Sequence, residues 1–128
     1  MSQKRNVIAT TEAPGAVGPY SQAIKTDGLI FVAGEKGIDP KTDKVVPGGI
    51  DAETRQTLEN IRVILEAAGA GMDNVVRTTV YMTDLGAFQE MNGIYAEYFK
   101  NAPPVRTCVQ VVALPVGAHI EIEATAVL

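Results

Sequence analysis

Residues 51–69, DAETRQTLENIRVILEAAG, constrain the fold of this chain more than any other stretch. Leu58, Ile61, Leu65 and Ala68 recur at intervals of three or four, so a helix gathers them into one apolar stripe. Arg55, Glu59 and Arg62 fall on the opposite side. A helix with a single apolar stripe has to lie on another apolar surface. The flanking segments offer one, because their apolar residues alternate with a period of two, as in β-strands. Asp51 is placed to cap this helix and Gly69 to end it.

Residues 5–10 read as a short first strand, followed by a Gly/Pro-rich loop, EAPGAVGPYSQ. Residues 22–34 read as a hairpin turning at Thr26-Asp27-Gly28. GIDPKTDKVVPGG is a turn-rich connection to the helix. Residues 75–82, VVRTTVYM, are β-branched and predict a strand. Asp84 is placed to cap a second helix, in which Phe88, Met91, Tyr95 and Phe99 share a face. Pro103-Pro104 closes it, and strands are expected over 105–112 and 119–127. The expected fold is α+β: one domain over residues 1–128, in two layers, with two helices on one face of a mixed sheet. Many positions on the other face are Val, Ala or Thr, and such a face often packs on another subunit.

Composition narrows the function. Hydrophobic residues make up 46% of the 128 residues and aromatics 5%, with no Trp, so the core is aliphatic. The one cysteine excludes an internal disulfide. MSQKRNVIATTEAP has no apolar signal region, and no apolar run is long enough to span a membrane. A cytoplasmic protein is expected, with no membrane partner. A net charge of −4 and a pI near 4.9 weigh against nucleic acid as a partner, which calls for clustered Lys and Arg. One His and one Cys cannot build a usual zinc site, so no metal is expected. GAVGPY lacks the Lys-Ser/Thr ending of a phosphate loop.

The chemistry-bearing residues lie in the last two strands. In PPVRTCVQV, alternation puts Arg106, Cys108 and Gln110 on one face and Val105, Thr107 and Val109 on the other. In IEIEATAV, Glu121 and Glu123 share a face. The short link ALPVGA suggests that the two strands pair, which would bring Arg106 within reach of Glu121. An arginine fork suits a carboxylate, and a glutamate can move a proton to or from water. The alternative is a solvated edge carrying ordinary surface charges. Cys108 reads as a small buried hydrophobe; a nucleophile served by His119 lacks an orienting third group. Tyr20 either pins the first loop or lids a pocket. Asn92 is either solvated or hydrogen-bonded at a seam.

Taken together, APGAVGPYSQA, RQTLENIRVILEAAG, VVRTTVYMTDL, FQEMNGIYAEYF, PPVRTCVQV and IEIEATAV resemble the reactive intermediate deaminase A (RidA, or YjgF) family, in family order and over essentially the whole chain. The resemblance implies a chorismate-mutase-like fold and a homotrimer with ligand clefts between subunits. It also implies hydrolysis of reactive 2-imino acids and enamines, such as 2-iminobutanoate and 2-iminopropanoate, to 2-oxo acids and ammonia, without a cofactor. Arg106 matches the arginine that clamps the substrate carboxylate, and Glu121 the glutamate that positions or activates water. Tyr20 matches a loop tyrosine near the ligand of an adjoining subunit. Gly34 and Cys108 match positions whose backbone faces the ligand, and Asn92 a helix asparagine near the site or interface. The chain departs from the pattern at Ala33, where the family usually has Ser, at Glu35, where Gln is common, and at Val112, where the residue is often smaller. The missing hydroxyl at Ala33 keeps open a rival reading, a non-catalytic module that binds 2-oxo acids. A ribonuclease or translation inhibitor, also attached to this family, is disfavoured by the acidic charge.

Overall fold

Ile120–Val127 is the most regularly alternating strand of the chain and lies inside the sheet. Its even-numbered residues Ile120, Ile122, Ala124 and Ala126 are all buried, while Glu121 and Thr125 are half-buried and Glu123 and Val127 exposed. A strand with an apolar face this continuous is suited to a position hydrogen-bonded on both sides.

The structure, a computed structural model, describes residues 4–128. In chain order the elements are β1 (Asn6–Ile8), β2 (Ala23–Thr26), β3 (Leu29–Lys36), β4 (Ile38–Asp39), β5 (Lys44–Val45), α1 (Gly49–Ala67), β6 (Val75–Met82), α2 (Phe88–Tyr98), β7 (Val105–Gln110) and β8 (Ile120–Val127). The main sheet runs β1-β2-β3-β8-β6-β7. Only β6 and β7 run parallel, joined by α2 as a crossover; the other neighbours are antiparallel. The sheet is therefore mixed, and α1 and α2 cover one of its faces, as expected. β4 and β5 form a small separate ladder inside the turn-rich connection that precedes α1. No helix among the described residues is long and apolar enough to cross a membrane.

The helix stripe does what its spacing demands. Leu58, Ile61, Leu65 and Ala68 are buried against Ile30, Val32, Ile122 and Ala124 in one aliphatic core, and Ile64 joins them. Truncating Leu58 to Ala would cost roughly 3 kcal/mol, because its rigid surroundings could not close the cavity. The helix begins earlier than expected. Gly48, at φ 115°, sits at its N-cap, a backbone state that disfavours Asp or any other side chain. Asp51 lies in the first turn, where its charge meets the positive end of the helix. Asp84 likewise caps a short 3₁₀ turn, Leu85–Ala87, by accepting from the Gly86 amide at 2.7 Å; that turn leads into α2. On α2, Met91 and Tyr95 are buried, and Phe99 follows just beyond its end.

The expected pairing of the two last strands is not found. β6 lies between β7 and β8, paired in register with both. Alternation fixes which face a side chain takes, but it does not name the neighbouring strand. The link through Pro115–Gly117 carries the chain past β6. This leaves β7, the strand bearing a charge toward the helices, at the edge.

Candidate active site

Arg106 lies on the helix side of β7, opposite Thr78 of β6, whose side chain is also buried on that side. Its guanidinium carbon stands 4.8 Å from the Tyr95 ring centre and 5.4 Å from that of Phe88. Cations are attracted to ring faces at such distances. Nη1 donates to Asn92 Oδ1 at 2.7 Å and also faces Met91 Sδ at 4.0 Å. Phe88, Met91, Asn92 and Tyr95 sit three, four and seven positions along α2, so one helical face supplies the whole shelf. Tyr95 is itself held by a 2.7 Å hydrogen bond between its hydroxyl and Thr78 Oγ1. Every group around this guanidinium is neutral. Among the described residues, no carboxylate lies within ion-pair distance of Arg106, which is fixed in place with its charge unbalanced and donors to spare.

Cys108 follows on the same face, half-buried, with its thiol 3.9 Å from Met82 Sδ. Burial pushes the thiol pKa up, and nearby Arg106 only partly opposes this. The group is therefore held as a thiol, which is a poor nucleophile. His119 does not assist it. The backbone N–H of His119 donates to Oε1 of the buried Glu53 at 2.8 Å, and its ring Nδ1 lies 2.7 Å from Oε2. The His119–Glu53 pair fastens the start of β8 to α1.

Glu121 belongs to the other face of the sheet. It sits opposite Lys36 of β3 and Tyr81 of β6, and its carboxylate lies 3.9 Å from Lys36 Nζ. Both side chains are mostly covered, at 14% and 22% exposure for Lys36 and Glu121. The Glu121 side chain runs directly over Gly34: a Cβ added there would stand 2.9 Å from its carboxyl carbon. Real Cβ atoms do not approach so closely, so any other residue at position 34 would push the Glu121 carboxylate out of this orientation. The β3–β8 register slips between Val32 and Glu35, placing Ala33 and Gly34 in a bulge. Beyond it Glu35 turns to the helix side and is buried. Burial raises its pKa from 4.5 to about 8, with Glu121 adding to the rise and Lys36 opposing it.

The structure thus brings Arg106, Asn92 and Cys108 together in one group, and Gly34, Ala33 and Glu121 in another. Within the chain the two groups face opposite sides of the sheet. Tyr20 joins neither group. It is 47% exposed in the first loop, where its hydroxyl accepts from the Val17 amide at 3.2 Å. The loop is pinned by Gln22, whose buried amide bonds Thr10 and Pro14. The aromatic shelf under Arg106 is not distinct in the sequence, because Phe88 and Tyr95 fall on the same apolar stripe of α2 as its core residues. Lys36 is likewise not marked by any motif in the sequence. The signal for the shelf was an apolar helix face spaced to meet a strand bearing Arg106.

A sequence model of the family described as endoribonuclease L-PSP matches residues 10–128. The mouse 2-iminobutanoate/2-iminopropanoate deaminase is 49% identical over 123 residues, which cover 96% of this chain and 91% of that protein. A RutC family protein of Pyrococcus horikoshii is 51% identical over 122 residues, 95% of this chain and 97% of that one. Among solved structures, RidA from the Antarctic bacterium Psychrobacter superposes with a TM-score of 0.94 at 40% identity, covering 97% of this chain and 100% of that one. The chain belongs to the reactive intermediate deaminase A (RidA/YjgF) family, the group matched by the endoribonuclease L-PSP model.

Proposed function

We propose that this protein hydrolyses 2-imino acids and their enamine tautomers, 2-iminobutanoate and 2-iminopropanoate among them, to 2-oxo acids and ammonia. The observation that carries the proposal is the guanidinium of Arg106, oriented by Asn92, Tyr95 and Phe88 and paired with no carboxylate among the described residues. A guanidinium held in this way is suited to bidentate capture of a substrate carboxylate. The kinship with deaminases named for these imines supplies the substrate class.

The chemistry then needs little beyond placement and proton handling. An enamine tautomerises to its imine, and the protonated imine is electrophilic at C2. Glu121 guides a water to C2 and accepts its proton as the C–O bond forms. Glu121 returns that proton to the amine nitrogen of the resulting carbinolamine, the C–N bond breaks to release ammonia, and the hydroxyl proton passes to solvent as the C=O of the 2-oxo acid forms. The site holds reactants together without a metal or organic cofactor, and such placement is a large catalytic term.

Arg106 and Glu121 face opposite sides of the sheet, so we assign the complete site to two subunits of a homotrimer. One contributes Arg106, Asn92 and Cys108, and its neighbour contributes Glu121, Gly34, Ala33 and the loop bearing Tyr20. Support comes from the open sheet face, where Phe31, Val105, Val109 and Val127 are 46%, 63%, 38% and 38% exposed. Such residues suit an interface between copies. One domain over residues 1–128 and a cytoplasmic setting, beside the pyridoxal-phosphate enzymes that release these imines, complete the reading.

Ala33 favours a second reading, a module that binds 2-oxo acids without turnover. A coupled assay separates the two: threonine dehydratase generates 2-iminobutanoate, and imine loss is followed with and without this protein. Accelerated loss is expected. Binding of 2-oxobutanoate with no acceleration would establish the module instead. RNA as substrate is disfavoured by the net charge of −4.

A further inference from the structure

The β3–β8 ladder decides which charge meets Glu121. Up to the slip its register is regular, with Phe31 opposite Thr125 and Val32 opposite Ala124. Continued without interruption, that register would set Glu35 against Glu121 and send Lys36 into the core against Ile120. The bulge at Ala33–Gly34 adds one residue to β3, so Glu35 meets Ile122 and Lys36 meets Glu121. A like-charged cross-strand pair is thereby replaced by an opposite one. The exchange has a cost. Glu35 is left 6% exposed, with its carboxyl taken out of water. With its pKa pushed up to about 8, it is stored largely neutral in that position.

We propose that Lys36 is a positioning residue for Glu121: its ammonium, 3.9 Å from Oε1, holds the carboxylate over Gly34 in the orientation that receives a proton from water. The proposal rests on the deaminase reading above. Two observations separate this pair from an ordinary surface ion pair. Both side chains are mostly covered, and the glycine beneath leaves the carboxylate no Cβ to rest against. Lys36 is therefore the group that fixes the direction of the carboxylate from the β3 side.

The test compares wild type, Lys36→Met, Lys36→Arg, Glu121→Gln and the double variant Lys36→Met/Glu121→Gln in the coupled imine assay, each checked for assembly by gel filtration. Lys36→Met is expected to lower kcat about tenfold with KM within about twofold, since the residue acts on the proton step and not on carboxylate capture. Lys36→Arg is expected to recover most of that loss. In the Glu121→Gln background, Lys36→Met is expected to add nothing. Unchanged kcat in Lys36→Met, no recovery in Lys36→Arg, or an equal further loss in the double variant would each overturn the role. Should Lys36→Met fail to assemble, Lys36→Gln replaces it with the same expectations. Wild-type protein that does not accelerate imine loss would overturn the deaminase reading itself, and the role of Lys36 with it.

Discussion

Arg106 and Glu121 are charged groups on one sheet, and the protein holds them in opposite ways. Arg106 is held by neutral partners, two rings and an amide oxygen, so its position is fixed while its charge remains available. Glu121 is held by a cation and by contact with a glycine, so its charge is balanced inside the protein. A group left unbalanced is prepared to receive an ion of the opposite sign. A group already balanced is poorly suited to gripping a ligand cation, but it can exchange a proton with water. The contrast suits the two charges to the different tasks proposed for them.

That division can be broken at several points. The largest effect is expected from Arg106→Ala, which removes the proposed anion clamp: kcat/KM for imine hydrolysis should fall about 10³-fold and 2-oxobutanoate binding should be lost, with assembly unchanged. Turnover near the wild-type rate would remove Arg106 from the site. Glu121→Gln is expected to lower kcat about 10²-fold while 2-oxobutanoate still binds, which sharpens the contrast because only the proton step is lost. Loss of binding equal to that of Arg106→Ala would erase the distinction between the two groups.

A smaller effect, on stability, is expected at Glu35. Its folded pKa is raised, so the folded state holds this proton more tightly than the unfolded chain does. The protonated carboxyl costs nothing extra below the unfolded value of 4.5, and stability is lost as the pH climbs from there through about 8. Between pH 6 and pH 8 the loss should come to about 2 kcal/mol. Glu35→Gln, which cannot ionise, should flatten this dependence in urea denaturation and be the more stable protein at pH 8. Identical pH dependence in both proteins would show that Glu35 is not held neutral. The smallest effect is expected at Cys108: Cys108→Ser should change kcat by no more than about twofold, because burial keeps the group a thiol. Loss of turnover would restore covalent catalysis as a reading.

Periodicity accounts for what was legible in the chain. The α1 stripe, the strand over 75–82 and the alternation of Ile120, Ile122, Ala124 and Ala126 are local patterns, and each one forces its own face. Arg106 and Glu121 could likewise be assigned to faces within their strands. Their placement relative to each other could not, since it depends on β6 inserting between β7 and β8, a non-local choice. The short ALPVGA link pointed to a hairpin, but α2 makes β6 and β7 a parallel pair and so claims that edge of β6. The bulge was also hidden. Gly34 in an otherwise regular strand was its one local trace, since glycine in a strand often marks a bulge or a close approach. Without the bulge, Lys36 would have been counted a core-facing anomaly and Glu35 an ordinary outward charge. At the start of α1, Asp51 looked like a cap because the left-handed turn at Gly48 cannot be read from residue type alone.

The central claim is that Arg106 and Glu121 act in one site although each protomer turns them to opposite faces. Co-assembly of Arg106→Ala and Glu121→Gln subunits in equal amounts tests it most directly, with imine hydrolysis as the readout. In a cyclic trimer with sites between subunits, each mixed assembly regains one intact site, so roughly a quarter of wild-type activity is expected to return. No activity above that of the separate variants, with mixed trimers present, would contradict the claim.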